Sequence, residues 1–562
     1  MSSEPAESDD LEGQALRAMP DEQAGKAFAA PPRPAAAPAS SARFAALVGL
    51  GIFASRLAGL VRERAFAHFF GNSWVADAVK AAFRIPNLLQ NLFGEGVLSA
   101  SFIPVYARLL AERDDGEARR VAGAVAAALG LAMSALVLLG MLATPWLIDL
   151  VAPGFEGERR ALTISLVRVL FPGVALLVMS AWCLGILNSH RRFFLSYAAP
   201  VLWNAVIIAV MLAVGPRRPA DTLALWVAGA AVAGSAAQLG VQLPRTLRLA
   251  GRLPLGLGVR DPVVQTVFRN FTPAFVSRGV LQISAYVDQL LASLLPLGAV
   301  AALGYAQTLY TLPVSLFGMS ISAAELPLMS SALGSHDEIA GLLRARLEAA
   351  MRRVAFFIVP SAMAFAVLGD VIAAAIYRTG RFGEGDVLYV WGILAGSAVG
   401  LLASTLARLF AATFYALRDT RTPLRFACVR LAATVALGIA FAFPLPRLLG
   451  IEPRWGAAGL TLSAGLAGWL ELALLRRALV ERIGHAHLAP GLLAKLWGAA
   501  GASAAAALAI ERLAPPAHPV LVAAAVLGPY GALYLGGTLA LGIPEARALA
   551  ARVGARLGLR GH

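Results

Sequence analysis

Only two of the 562 residues are cysteine, Cys183 and Cys428, and they lie far apart in or beside apolar segments. That excludes a disulfide framework and a zinc site built on paired thiolates. Charge is scarce: 14% of residues are Asp, Glu, Lys or Arg, against about 25% in a soluble globular protein. Lysine is almost missing, since 45 of the 48 basic residues are arginine. Apolar side chains fill the gap at 58% of the chain. They come in runs long enough for spanning helices of about 20 residues. The chain therefore reads as an all-α polytopic membrane protein. A formal net charge of +15 would suggest nucleic acid in a soluble protein. Here the cations sit mostly in short loops between apolar runs, so membrane topology accounts for them and no nucleic acid is expected. Loop acids such as Glu156, Glu158, Glu384 and Asp386 are scattered, with no metal-binding cluster and no nucleophile–base pair. No catalytic or metal-ligating residue is assigned, which disfavours a membrane enzyme.

About fourteen spans can be counted. They fall near 42–66, 73–110, 120–150, 161–188, 195–215, 221–249, 263–296, 298–333, 349–375, 386–417, 423–448, 455–480, 491–513 and 518–543. With both termini inside, the arginine-rich loops all fall on the cytoplasmic side, about 25 Lys/Arg against about 11 outside. Residues 1–41, rich in Ala, Pro, Glu and Asp, lack a basic segment leading into an apolar one. They read as a disordered cytoplasmic tail rather than a signal peptide. Residues 546–562 read as a basic cytoplasmic tail.

An internal repeat is present. Phe53-Ala54-Ser55-Arg56 returns as Phe275-Val276-Ser277-Arg278. Ser99-Ala100-Ser101-Phe102-Ile103-Pro104 returns as Ser322-Ala323-Ala324-Glu325-Leu326-Pro327. A Phe-Gly pair precedes each of the latter words, Phe93-Gly94 and Phe317-Gly318, and the offsets are about 222 and 223 residues. Two six-helix lobes follow, 42–250 and 260–482, with two further helices over 490–545. Both copies start on the same side, so the repeats are parallel and enclose a central cavity.

Charges stand inside the first spans. Arg56 interrupts the first apolar run, which leads into Arg62-Glu63-Arg64. The second holds Asp77, Lys80, Arg84, Asn91 and Glu95, which fall within about 60° of one another on a helix. A charge at bilayer depth costs at least about 3 kcal/mol, so it is kept where it faces water or a partner. Two readings compete: a cavity-lining stripe, or ion pairs such as Asp77 with Arg84 and Glu95 with Arg56. The length of the stripe and its excess of cations favour the cavity. Arg62 fits either the cavity or the membrane interface, and Arg64 fits the interface better. Arg168 and Arg408 read as lone interfacial arginines. Arginine stays charged when desolvated and donates a planar pair of hydrogen bonds, so the cargo is expected to be anionic, with phosphate the natural match.

The words Phe53-Ala54-Ser55-Arg56-Leu57-Ala58-Gly59-Leu60-Val61-Arg62-Glu63, Phe83-Arg84-Ile85-Pro86-Asn87-Leu88-Leu89, Phe93-Gly94-Glu95-Gly96 and Phe102-Ile103-Pro104 resemble the MurJ/MviN family. So do Ala152-Pro153-Gly154-Phe155, Gly185-Ile186-Leu187-Asn188 and Phe414-Tyr415-Ala416-Leu417-Arg418-Asp419-Thr420-Arg421-Thr422-Pro423. The likeness covers about residues 42–545. It implies a bacterial inner-membrane flippase for lipid II, the undecaprenyl-pyrophosphate-linked precursor of the cell wall. It also implies alternating access, a tail groove at the last two helices, and lipid II, the bilayer and the peptidoglycan polymerase machinery as partners. No cofactor is expected; the membrane potential, with or without a coupling ion, supplies the drive.

Carried onto this chain, the family's charged positions fall on Arg56, Arg62, Glu63, Asp77, Arg84 and Glu95. Two positions depart: Gln90 and Thr308 stand where the family has cavity arginines. Arg278 and Lys80 are expected to supply the missing positive charge. Asp288 and Glu325 are open between an ion site and structural pairing. Other readings are a flippase for another polyprenyl-linked glycan, a drug exporter of the same superfamily, or a scaffold of wall synthesis.

Overall fold

The computed structural model describes residues 39–254, 256–258, 260–331, 335–513, 515 and 517–556, and among these it contains helices and no strand. The expected tail over 1–41 lies outside the described residues except for Ala39-Ser40-Ser41, which already belong to the first helix. Of the expected basic tail, 557–562 lie outside them, and the preceding stretch is helical.

The first half comprises α1 (Ala39–Phe70), α2 (Trp74–Phe93), α3 (Glu95–Ser101), α4 (Ile103–Ala111), α5 (Asp115–Val151), α6 (Gly157–Ser189), α7 (Phe193–Val214) and α8 (Ala220–Ala250). Then come α9 (Pro262–Ser293), α10 (Ala299–Pro313), a π-helical turn over Val314–Met319, α11 (Ser320–Ser330), α12 (His336–Val367) and α13 (Gly369–Tyr377). The rest is α14 (Glu384–Ala416), α15 (Arg421–Ala442), α16 (Pro444–Leu448), α17 (Gly456–Ile483), α18 (Pro490–Leu513), α19 (Pro519–Ala540) and α20 (Pro544–Arg556). Eleven helical segments among the described residues are long and apolar enough to cross a membrane. Expected spans 42–66, 73–110 and 263–296 are helical too, but are not among the eleven. The second is broken at Gly94 and Phe102, where α2, α3 and α4 meet.

In the first half α6 packs against α2, α5 and α8, and α7 links α8 to α1. In the second, α14 packs against α10, α12 and α17, and α15 lies on α17. Helices α18 and α19 pack on each other and dock on α12 and α13. Helix α9 lies between the halves, touching α2, α3 and α5 on one side and α10, α15 and α17 on the other. Of the two Phe-Gly pairs, Phe93-Gly94 ends α2, and Phe317-Gly318 lies in the π-helical turn. On α5, Leu131, Leu138, Leu142, Trp146 and Leu150 are exposed, a stripe that lipid would cover.

Two local devices fix the helices. Helices α14 and α17 approach backbone to backbone: a Cβ on Gly400 would lie 2.3 Å from the Gly465 Cα. Small residues permit that approach, and such close packing is one of the sources of helix association in lipid. Prolines inside helices orphan the carbonyl four residues back. Pro360 frees the Phe356 carbonyl, which accepts from the Tyr534 hydroxyl at 2.7 Å, and this fastens α19 to α12. Pro145 frees the Met141 carbonyl, which accepts from Arg168 Nε at 3.3 Å. Arg168 thus has a structural use at the place where the sequence suggests an interfacial residue, while Arg408 is exposed.

Candidate functional site

The charged end of α1 and the polar face of α2 meet α10 across a cavity of about 410 Å³. Its lining includes Arg62, Glu63, Lys80, Arg84, Asn87 and Gln90 from the first two helices, Trp203 and Asn204 from α7, Gln238 from α8, Gln289 from α9, and Leu303 and Gly304 from α10. Both halves contribute, so the cavity lies between them. Three cations face one carboxylate. Glu63 is buried and accepts from Arg62 Nη2 at 2.9 Å and from Lys80 Nζ. Asn204 accepts from Arg62 Nη1 at 3.0 Å, and the guanidinium lies 5.0 Å from the Trp203 ring. Lys80 Nζ lies 4.5 Å from the Tyr305 ring of α10, and its aliphatic stem runs over Gly304. The Arg84 guanidinium lies 5.1 Å from the Tyr286 ring. Aromatic faces attract cations through the ring quadrupole.

The expected residues separate along α2. Lys80 and Arg84 line the cavity together with Arg62 and Glu63 of α1. Asp77 shares their face but not their surroundings, which corrects its expected place in the lining. Its carboxylate is fully buried and accepts from the backbone N–H groups of Gly298 at 2.7 Å and Ala301 at 2.8 Å. It caps the first turn of α10 from the other half, with Arg159 Nη1 3.4 Å away. Neither the Asp77–Arg84 pair nor a lining role describes it. Asn91 and Arg56 are exposed and do not contribute to the cavity lining. The side chains of Glu95 and Arg278 lie outside the described residues. Gln90 lines the cavity, whereas the Thr308 hydroxyl donates to the Gly304 carbonyl at 3.0 Å.

Asp288 lies one residue from the lining Gln289, in the electrostatic field of Arg84 and Arg430, and its Oδ1 is buried with no hydrogen-bond partner. Arg430 also reaches Glu471 at 3.1 Å. Glu325 is buried between Arg353 at 3.1 Å and Arg346 at 3.6 Å.

The end of the molecule near Gly71 is tied across the halves by hydrogen bonds. Arg64 Nη1 donates to the carbonyls of Ala375 at 2.6 Å and Ile376 at 2.9 Å, capping α13. His68 Nδ1 meets the Thr379 hydroxyl at 2.8 Å, and the Arg381 N–H donates to the His68 carbonyl at 2.9 Å. The Tyr305 hydroxyl donates to the Gly71 carbonyl at 3.0 Å. Sequence reasoning assigned Arg64 to the interface and passed over His68 and Arg159. The usable signal was their position, one to two turns beyond Arg62 or in the first turn of α6. At the other end of the cavity, one turn past Gln90, Phe93 meets Phe271 and Phe275 of α9 at ring distances of 6.3 and 5.0 Å.

A second, apolar groove of about 310 Å³ runs along α10, the π-helical turn, α12 and α13, lined by Leu309, Leu316, Phe317, Phe365, Ile376 and Tyr530. Of the last two spanning helices only α19 contributes to it, through Tyr530.

Residues 66–518 match the family described as "Lipid II flippase MurJ". A lipid II flippase MurJ of Burkholderia cenocepacia is 32% identical over 438 residues, which is 76% of this chain and 81% of that protein. A probable lipid II flippase MurJ of Rhizobium meliloti is 30% identical over 78% of this chain and 80% of its own length. Among solved structures, "Lipid II flippase MurJ, inward closed conformation" superposes with a TM-score of 0.72 at 22% identity, covering 88% of this chain and 98% of that one. An inward-facing multidrug resistance MATE family transporter superposes at 0.60 with 18% identity, covering 76% and 95%. The chain belongs to the lipid II flippase MurJ family.

Proposed function

We propose that this chain flips lipid II from the inner to the outer leaflet of the bacterial cytoplasmic membrane by alternating access. The observation that carries the reading is the cavity between the halves, where Arg62, Lys80 and Arg84 face a single carboxylate. Such a cavity suits a pyrophosphate, which takes several charge-assisted hydrogen bonds at once. Lys80 leans on α10 one turn from Thr308, which supports its supplying the charge that Thr308 lacks. Arg278 would add charge from α9.

The arginine-rich loops are cytoplasmic and both termini lie inside, by the positive-inside rule. Lipid II enters laterally from the inner leaflet. Its pyrophosphate docks at Arg62 and Lys80, its sugars and peptide meet Asn87, Gln90 and Gln238, and its tail stays in lipid along the apolar groove beside α19. The lobes then rock. No bond is made or broken, so no catalytic group or cofactor is required. An inside-negative potential drives an anion outward by about 2.3 kcal/mol per charge per 100 mV, and it returns the emptied cationic cavity inward. The product is handed to the peptidoglycan polymerase machinery.

The test is depletion in the host, read with an extracellular toxin that cleaves lipid II. Loss of toxin-accessible lipid II while the precursor accumulates inside is the expected result. Undiminished access would overturn the reading and favour another polyprenyl-linked cargo or a scaffold role.

A further inference from the structure

A second cationic pocket lies at the end that the hydrogen bonds close. It has a volume of about 230 Å³ and is lined by His68, Phe69, Gly215, Pro216, Arg218, Ala220, Leu223, Gly380 and Arg381. Three chain segments build it: the end of α1, the turn from α7 into α8, and the loop between α13 and α14. The first two belong to one half and the third to the other. The segments are in close contact, since a Cβ on Gly215 would lie 2.4 Å from the Phe69 ring and one on Gly380 would lie 2.3 Å from the His68 carbonyl oxygen.

Charge in this pocket is unbalanced. Neither the Arg218 nor the Arg381 guanidinium has a carboxylate within ion-pair reach among the described residues. Glu384 pairs with Arg378 at 2.5 Å, and Asp221, whose Oδ1 accepts from the Thr222 N–H at 2.7 Å, makes no ion pair with either arginine among the described residues. His68 uses Nδ1 on Thr379, and among the described residues Nε2 has no hydrogen-bond partner. Ala220 opens the 31-residue helix α8, whose first-turn N–H groups add partial positive charge.

We propose that this cleft binds a phosphate-class anion, gripped by Arg218 from one half and Arg381 from the other. Guanidinium forks suit a phosphate's several acceptor oxygens, and the two arginines approach from opposite halves. The bound anion joins the halves where Arg64, His68 and Asp77 already do, so it stabilises the closed state of that end and must leave before it opens. The assignment is independent of the cargo of the central cavity. The phosphate can come from the headgroup of an anionic phospholipid or from solution.

The test uses the purified full-length chain. Thermal unfolding is followed in uncharged detergent with inorganic phosphate, and in nanodiscs of phosphatidylcholine with and without phosphatidylglycerol. Stabilisation by inorganic phosphate identifies a soluble ligand; stabilisation by phosphatidylglycerol alone identifies a headgroup. In either case Arg218→Ala and Arg381→Ala should each weaken the effect about tenfold. The Lys variants should retain part of it, and Arg217→Ala, outside the pocket, should retain all of it. No stabilisation from either source, or stabilisation that survives the double Ala variant, overturns the proposal.

Discussion

Asp77 of α2 accepts the backbone N–H of Gly298 at 2.7 Å, across the boundary between the halves and 221 positions along the chain. With the Ala301 N–H it forms a helix cap supplied by another lobe. Hydrogen bonds to an ionised, buried acceptor are worth about 1.5–3 kcal/mol each. Asp77→Ala is expected to loosen this end. With Cys428 replaced, spin labels at the exposed Glu156 and Leu297 should show longer and broader distances in the variant. Unchanged distances would remove Asp77 from the closure.

Lys80 and Arg62 share Glu63. If they clamp the pyrophosphate, Lys80→Ala and Arg62→Ala should each lower toxin-accessible lipid II at least about tenfold, and Lys80→Arg should restore part of it. Glu63→Gln should impair flipping less, since it removes a counter-charge and leaves both cations. Arg278→Ala in the same assay measures the contribution of α9. Full activity in both Lys80→Ala and Arg278→Ala would eliminate compensation for Thr308.

The contact of Gly400 with Gly465 leaves no room for a side chain. Gly400→Leu should force α14 from α17 and destabilise the second half by about 1–3 kcal/mol or more. Thermal unfolding in detergent reads this directly, and an unchanged midpoint would contradict the backbone contact.

Tyr534→Phe keeps the ring but strands the Phe356 carbonyl that Pro360 has freed. A buried acceptor left unpaired costs about 1–3 kcal/mol. The expected result is a lower midpoint together with faster amide exchange in α19. Equal exchange in both proteins would show that the bond does not hold the helix.

Asp419, in the loop before α15, lies below the usual carboxylate range. The N–H and hydroxyl of Thr422 and the N–H of Arg421 donate to it, and Arg482 adds its charge. A carboxyl lowered by folding stabilises the fold above its unfolded pKa, about 3.9, and that contribution is lost as pH falls through the folded value. Asp419→Ala should therefore lower stability at neutral pH by about 1 kcal/mol, the usual cost of losing a helix-capping carboxylate. The gap from wild type should close in acid. A gap that persists below the folded value would point to packing instead of charge.

The helical class and the cationic cavity were legible because charge inside apolar runs is expensive and therefore informative. Lys80 and Arg84 follow from that argument alone, while Arg62, open between cavity and interface, was placed by the resemblance. Asp77 shows where it stops: three- and four-residue spacing gives a direction around a helix, not what stands opposite each turn. At the first turn of α2 the opposite group is the start of α10, set by tertiary packing. Arg64 and Arg159 were missed for the same reason, since a backbone carbonyl or a buried acid far along the chain leaves no mark beside them. Span 73–110 differs from the rest because breaks at Gly94 and Phe102 interrupt it, while side chains in parts of 42–66 and 263–296 lie outside the described residues.

The two ends of the cavity are bordered by different physics. Beyond Gln90 the contact is Phe93 with Phe271 and Phe275, while at Asp77, Arg64 and His68 it is directional polar bonding. In lipid the aromatic contact rests on dispersion and shape, which fade within small separations, whereas each bond of the polar latch needs a new partner before it can part. The two ends therefore differ in what releases them: the latched end lets go only where water or a ligand takes over its donors and acceptors, and the aromatic end needs no such exchange.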